Sequence, residues 1–178
     1  MTNSYIALDL ETTGLEARVE KITEIAALKV VEGCVEERFV SLVNPMRQLG
    51  ERITELTGIT DHMVKDAPVI EDVIGDVVRF CGDLPLLGHN ILFDYGFLKR
   101  AAVNSGLEFD REGIDTLGIC RLFMPAALKR NLTCACSFYG VSQSAAHRAL
   151  ADAEAVIALQ DMGHKRLALE AGEDPSPP

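Results

Sequence analysis

The sequence Tyr-Ile-Ala-Leu-Asp-Leu-Glu-Thr-Thr-Gly-Leu, at positions 5–15, decides how the rest of the chain is organised. It begins as a short apolar segment, which predicts a buried β-strand over residues 4–9. Asp9 and Glu11 stand two residues apart, and side chains at that spacing in a strand project to the same face. Two carboxylates in one small volume repel each other, so the pair indicates a hard divalent cation with oxygen ligands. The alternative is that the strand ends there and both acids are solvated or cap the element that follows.

The composition is that of a globular domain. Of 178 residues, 48% are hydrophobic and 25% are charged, which predicts one folded domain over residues 1–170. The polar, proline-rich residues 171–178 are predicted to form a disordered tail. The chain shows neither a membrane-length apolar run nor a signal peptide, so we expect no membrane partner. Five cysteines, an odd number, among mostly apolar neighbours indicate buried thiols and a cytoplasmic location.

The net charge of −10 limits the functions that the chain can have. A protein that coats duplex nucleic acid neutralises many phosphates and is therefore basic, so that class is excluded. An acidic protein can still hold a short piece of nucleic acid if bound metal ions supply the positive charge.

The order of the predicted elements indicates an α/β domain with a mixed sheet. Strands at 4–9, 22–31 and 34–43, the last two joined by a tight turn at Glu32-Gly33, predict a three-strand antiparallel meander. Helices and strands alternate afterwards. The helices are predicted at 51–58, 60–64, 69–81, 93–105, 116–123, 131–139 and 147–170, and the further strands at 84–89 and 114–115.

Two more acids and a histidine complete a candidate site. Asp94 follows a buried strand near a helix start, where it could instead cap the helix. Asp152 lies on the long final helix, where an ordinary exposed acid is the alternative. His147 precedes Asp152 by five residues, which on a continuous helix would turn the two side chains about 140° apart. If both act in one site, His147 must precede the helix, and a histidine beside carboxylates suits a general base.

Three segments resemble the motifs of the DEDDh 3′–5′ exonucleases, a family typified by the proofreading epsilon subunit of bacterial DNA polymerase III. They are Asp-Leu-Glu-Thr-Thr-Gly-Leu at 9–15, His-Asn at 89–90 with Phe-Asp at 93–94, and His-Arg-Ala-Leu-Ala-Asp-Ala at 147–153. The resemblance extends over residues 5–160 and implies a ribonuclease H-like fold: a mixed sheet flanked by helices.

The resemblance also implies the roles of individual residues. His147 is implied to accept the proton of the attacking water. Two Mg²⁺ or Mn²⁺ ions are implied to be held by Asp9, Glu11, Asp94 and Asp152. Substrate contacts are implied for Thr12, Leu56, Thr57, Asn90 and Phe93, although Leu56 and Phe93 could equally be core residues.

The expected function is metal-dependent removal of nucleoside monophosphates from the 3′ ends of single-stranded DNA. The same chemistry on RNA or on short oligonucleotides stays open, because the sequence does not show whether a 2′-OH fits. A catalytically idle nucleic-acid-binding module is a third reading, which predicts loss of a ligand or of the histidine. The epsilon subunit docks its polymerase through a longer tail. The short segment after the last predicted helix therefore favours stand-alone trimming or repair and leaves a polymerase or repair partner open.

Overall fold

A five-stranded mixed sheet organises the part of the chain that the computed structural model describes, residues 4–143 and 146–172. The strands lie in the order β3-β2-β1-β4-β5, with β1, β2 and β3 antiparallel and β4 and β5 parallel to β1. Their bounds are β1 Tyr5–Thr12, β2 Ile22–Val31, β3 Cys34–Leu42, β4 Leu86–Gly88 and β5 Gly113–Asp115. The predicted meander and mixed sheet are confirmed.

The turn between β2 and β3 has the predicted position. Glu32 and Gly33 both have positive φ, at 49° and 78°. A two-residue hairpin loop needs this left-handed backbone to match the twist of its strands. Glycine adopts such a φ without strain, which explains why the meander turns at this dipeptide.

Seven helices surround the sheet within the described residues. The first, α1, ends where Gly58 takes a left-handed φ of 71°, as the sequence predicts. The bounds are α1 Glu51–Thr57, α2 Asp61–Val64, α3 Ile70–Cys81, α4 Leu92–Asn104, α5 Thr116–Phe123, α6 Leu132–Tyr139 and α7 Ala149–Ala171.

The two faces of β1 pack against different helices. Ile6, Leu8 and Leu10 are buried in a core with residues of α3 and α4. Tyr5 and Ala7 are buried on the opposite face, in a second core with residues of α7. Side chains alternate along a strand, so Asp9 and Glu11 continue the face that carries α7. This alternation sets where the candidate site lies.

Three of the five cysteines are buried as predicted, and all five are free thiols. Cys34 is exposed instead, because it begins β3, the strand at the edge of the sheet. Within the described ranges, no helix is both long enough and apolar enough to span a membrane. Ala171, predicted to start the tail, is the last residue of α7, and residues 173–178 lie outside the described part of the chain.

Candidate active site

Asp9 and Glu11 lie inside β1, which runs three residues further than predicted. Asp9 is partly buried, and Glu11 is only 8% exposed. The alternative that the strand ends and leaves both acids in solvent is therefore wrong. The strand continues because β2 pairs with it as far as Thr12. On the other side, β4 pairs only with Ile6 and Ala7, which leaves the edge of β1 beside the acids open.

Asp94 fills that open edge. It lies in the first turn of α4, and its Oδ1 accepts a hydrogen bond of 3.0 Å from the backbone N–H of Leu10, 84 residues away. The N-cap residue of α4 is Ile91, and no side chain caps the helix, so the alternative of a capping acid does not describe Asp94. Asp94 is 4% exposed and lies next to the strand that carries Asp9 and Glu11.

Asp152 approaches from the opposite layer, in the first turn of α7. Its Oδ1 accepts a hydrogen bond from Gln143 Nε2 at 2.5 Å, and its Oδ2 accepts one from the backbone N–H of His147 at 3.2 Å. Asp152 is 6% exposed, so it is not the ordinary surface acid of the alternative interpretation.

His147 precedes α7, as the spacing argument requires if it shares a site with Asp152. It lies two residues before the helix and has a positive φ of 60°, which is uncommon outside glycine. This backbone lets its imidazole reach the same point as the two acids. One donor atom from each of Glu11, His147 and Asp152 lies within 4.8 Å of the other two.

The electrostatics of this cluster favour a bound cation. Burial, with neighbouring Asp152, raises the pKa of Glu11 to about 8. Burial also raises the pKa of Asp94 to about 8, although the bond from Leu10 opposes the shift. The pKa of Asp9 is raised well above its usual range by burial and then by Asp94 and Asp152. The pKa of Asp152 is raised by burial. A cation bound between these carboxylates would stabilise their ionised forms, which otherwise repel one another. Hard divalent cations bind such oxygen donors.

An ion pair between the buried Glu24 and the partly exposed Arg148, which the sequence analysis missed, secures the α7 side of the cluster. Glu24 on β2 is directly opposite Glu11 and only 2% exposed. Its carboxylate accepts hydrogen bonds from Arg148 Nη2 at 2.6 Å, Arg148 Nε at 3.1 Å and the backbone N–H of Ala149 at 3.0 Å. The available signal was an acid inside the apolar run 22–31. We call this arrangement the Glu24–Arg148 clamp, and it ties the start of α7 to the sheet.

His89, whose role the motif left undefined, makes internal contacts. Its Nδ1 lies 2.9 Å from Thr116 Oγ1, and its Nε2 lies 2.6 Å from the backbone oxygen of Arg130. Burial lowers its pKa, which favours a neutral ring. These contacts connect the end of β4 with α5 and the segment before α6, as expected of a structural residue.

Four of the five predicted substrate contacts lie around one cavity of about 470 Å³ next to the acids. Leu56 is 50% exposed, so core packing does not account for it. Phe93 is partly buried and packs on Phe97, with ring centroids 5.0 Å apart. Asn90 is exposed and is not among the lining residues; its backbone N–H bonds to Asp115. The cavity is lined by Leu10, Glu11, Thr12, Thr13, Gly14, Leu15, Arg52, Ile53, Leu56, Thr57 and Phe93.

The chain is similar to known proteins over most of its length. An exonuclease family model matches residues 6–160. The PolC-type DNA polymerase III of Bacillus subtilis is 41% identical over 155 residues, which are 85% of this chain and 11% of that protein. The same polymerase of Halalkalibacterium halodurans is 39% identical over 156 residues, or 87% of this chain and again 11% of the relative. The chain thus spans about a ninth of these relatives.

Several solved structures that are similar to this chain are exonucleases. Exonuclease X in complex with 5′-overhanging duplex DNA has a TM-score of 0.66 and 26% identity over 95% of this chain and 92% of that chain. Escherichia coli exonuclease I with a dT13 oligonucleotide has a TM-score of 0.80 and 18% identity, over 96% of this chain and 43% of that chain. A zinc-bound form of exonuclease I with single-stranded DNA has a TM-score of 0.78 and 19% identity, over 93% of this chain and 41% of that chain. The expected ribonuclease H-like fold is confirmed.

Proposed function

The chain belongs to the exonuclease family, and from that membership we propose that it removes nucleoside 5′-monophosphates from the 3′ ends of single-stranded DNA. One observation carries the proposal. Donor atoms of Glu11, His147 and Asp152 converge within 4.8 Å, and Glu11 also lines a cavity large enough for a nucleotide. A nucleotide in that cavity would place its phosphate beside the acids.

The residues have distinct roles in this proposal. His147 accepts the proton of a water molecule whose oxygen forms a bond to the phosphorus atom. The bond from phosphorus to the 3′ oxygen of the preceding nucleotide breaks, and that oxygen takes a proton from solvent. Asp152 positions His147 by accepting its backbone N–H. An imidazole can exchange protons near neutral pH, which suits this role.

The four acids would hold the metal. Asp9, Glu11, Asp94 and Asp152 offer oxygen donors, which fit Mg²⁺ or Mn²⁺. Two bound ions would supply positive charge to the phosphate oxygens and make the attacking water more acidic. The cluster also includes an imidazole nitrogen, a donor that suits zinc, and zinc is the ion bound in the exonuclease I structure named above.

The cavity supports a substrate without a base preference. Leu56 and Phe93 offer apolar surfaces to the flat faces of bases, and every base has such a face. The names of the relatives favour DNA over RNA: a DNA polymerase, and exonucleases bound to DNA. We include a DNA polymerase as a candidate partner, because the PolC-type relatives carry the matching segment within a polymerase chain.

The test is degradation of 5′-labelled single-stranded DNA and RNA of matched sequence, in Mg²⁺, Mn²⁺ or EDTA. We expect a ladder that shortens from the 3′ end, needs the metal and forms faster on DNA. The Asp9→Ala variant is the control for a contaminating nuclease. Faster degradation of RNA would make RNA, not DNA, the substrate. If metal binds but neither polymer gives a ladder, the catalytically idle nucleic-acid-binding module would be favoured.

A further inference from the structure

A second cleft lies beside the nucleotide cavity. Its volume is about 240 Å³, and it is formed by the loop between β1 and β2 together with the start of α3 and the C-terminal half of α4. Three of its lining residues are cations, at positions 18, 21 and 100. The lining residues are Ala17, Arg18, Glu20, Lys21, Ile22, Ile70, Glu71, Phe97, Arg100, Ala101 and Asn104.

The cleft and the nucleotide cavity share a wall. Thr13 lines the cavity and Lys21 lines the cleft, and the two residues are joined by two hydrogen bonds. The Thr13 N–H donates to the Lys21 carbonyl at 2.8 Å, and the Lys21 N–H donates to Thr13 Oγ1 at 2.9 Å. Phe93 of the cavity likewise packs on Phe97 of the cleft. The cleft and the cavity are therefore neighbours, separated by these contacting residues.

The cations of the cleft are available to a ligand. Arg18, Lys21 and Arg100 are exposed, and none forms an ion pair with another residue in 4–143 or 146–172. Such a group stands out in a protein with a net charge of −10, where acids outnumber bases.

The two carboxylates that line the cleft do not cancel this charge. Glu20 accepts hydrogen bonds from Thr13 Oγ1 at 2.5 Å and from Arg47 at 3.2 Å. Glu71 lies in the first turn of α3, where the helix dipole stabilises a negative charge. Because Glu20 is paired with Arg47 and Glu71 offsets only one of the three cations, the cleft keeps a net positive charge.

We propose that this cleft binds the phosphodiester backbone of the nucleic acid outside the nucleotide cavity. The inference rests on the proposed function, because it takes the cavity as the site of the terminal nucleotide. Arg52 is also exposed and without an ion pair in the described ranges, and it lines the cavity together with Glu11, so it adds a cation there. Phosphates are the repeating anions that such cations would recognise, and each contact releases counterions.

The test compares a long and a short substrate for the double variant Lys21→Gln/Arg100→Gln. On a 20-nucleotide single strand, we expect KM to rise. We also expect the slope of log(1/KM) against log salt to become shallower by about 1.4, at about 0.7 for each lost contact. On thymidine 5′-p-nitrophenyl phosphate, which is too short to enter the cleft, kcat/KM should equal that of the wild type.

A matched variant and a second substrate make the result specific. Arg121→Gln/Lys165→Gln removes the same charge from exposed positions on α5 and α7, and it should keep the wild-type salt slope. Duplex DNA with a 5′ overhang shows which strand occupies the cleft. If the double variant changes the salt slope on this duplex and not on the single strand, the cleft binds the strand that is not cleaved. Unchanged slopes on both polymers would overturn the proposal. No hydrolysis of any substrate by the wild type would instead overturn the proposed function.

Discussion

His147 has the backbone and the neighbours of a proton acceptor. Its positive φ and the bond from its N–H to Asp152 hold the imidazole beside Glu11. We expect His147→Ala to lower the rate of the chemical step by about 10²–10⁴, the usual contribution of a general base. Single-turnover cleavage of labelled DNA at saturating metal measures it.

The control for this prediction is His164→Ala. His164 lies on α7, where its ring contacts Gln160, away from the acid cluster. Its variant should keep the wild-type rate, and a His147 variant that did the same would remove the base role.

Asp152 should matter for metal binding rather than for folding. We expect Asp152→Asn to abolish cleavage and to keep or raise Tm without metal, because one member of a repelling set is neutralised. The rise in Tm that Mn²⁺ gives the wild type should shrink, since binding to the folded state stabilises it by mass action. Thermal melts with and without Mn²⁺ measure both effects. Asp161→Asn, an exposed acid on the same helix, should change none of them.

At the scale of elements, the Glu24–Arg148 clamp joins α7 to β2. Glu24→Gln removes the charge that holds Arg148 and weakens the bond to the Ala149 N–H. We expect the free energy of unfolding to fall by about 1.5–3 kcal/mol, the range for hydrogen bonds to charged groups. We also expect kcat to fall with little change in KM, because the start of α7 carries Asp152 but does not line the nucleotide cavity. Urea unfolding and steady-state kinetics separate the two effects.

Glu154→Gln is the matched control for the clamp. It breaks another ion pair between α7 and the sheet, from Arg38 to Glu154 at 2.8 Å, in which both side chains are about half exposed. An exposed pair contributes about 0–1 kcal/mol, so stability and kcat should be close to wild type. Equal losses of kcat in the two variants would contradict a specific positioning role for Glu24.

Local sequence signals predicted most elements, but their ends depended on partners. The turn at Glu32-Gly33 and the stop at Gly58 are encoded in glycine positions, and both are confirmed. The extension of β1 through Glu11 was missed because pairing with β2 determines it.

The site divides in the same way. The three motifs were enough to predict Asp9, Glu11, Asp94 and Asp152 as metal ligands, since each motif is a short local segment. The bond from Leu10 to Asp94 and the clamp at Glu24 connect residues 84 or more positions apart. No local sequence pattern predicts such contacts, because they depend on how the helices pack on the sheet.

At the scale of the whole molecule, the acid cluster should make stability depend on pH. The pKa values of Glu11 and Asp94, each raised to about 8, lie above the values near 4 expected in the unfolded chain. The folded state therefore binds protons more tightly. The stability that the protonated forms of these two carboxyls contribute is fully present below about pH 4 and is lost as pH rises through about 8. In EDTA, we expect Tm to fall between pH 5 and pH 9, and Mn²⁺ at pH 8 should restore it.

The double variant Glu11→Gln/Asp94→Asn isolates this effect. It lacks both carboxyls, so its Tm in EDTA should depend less on pH than that of the wild type over the same range. Melts in buffers of constant ionic strength make the comparison. A wild-type Tm that rose from pH 5 to pH 9 would show that other groups dominate.

The position of Asp152 on α7 has a consequence for biosynthesis. A ribosome makes β1, with Asp9 and Glu11, long before it makes α7, and Asp152 can join them only when that helix docks on the sheet. A nascent chain therefore has an incomplete set of acids until α7 docks. Under the proposed function, the capacity to cut phosphodiester bonds would arise together with the finished fold, and an unfinished copy would lack it.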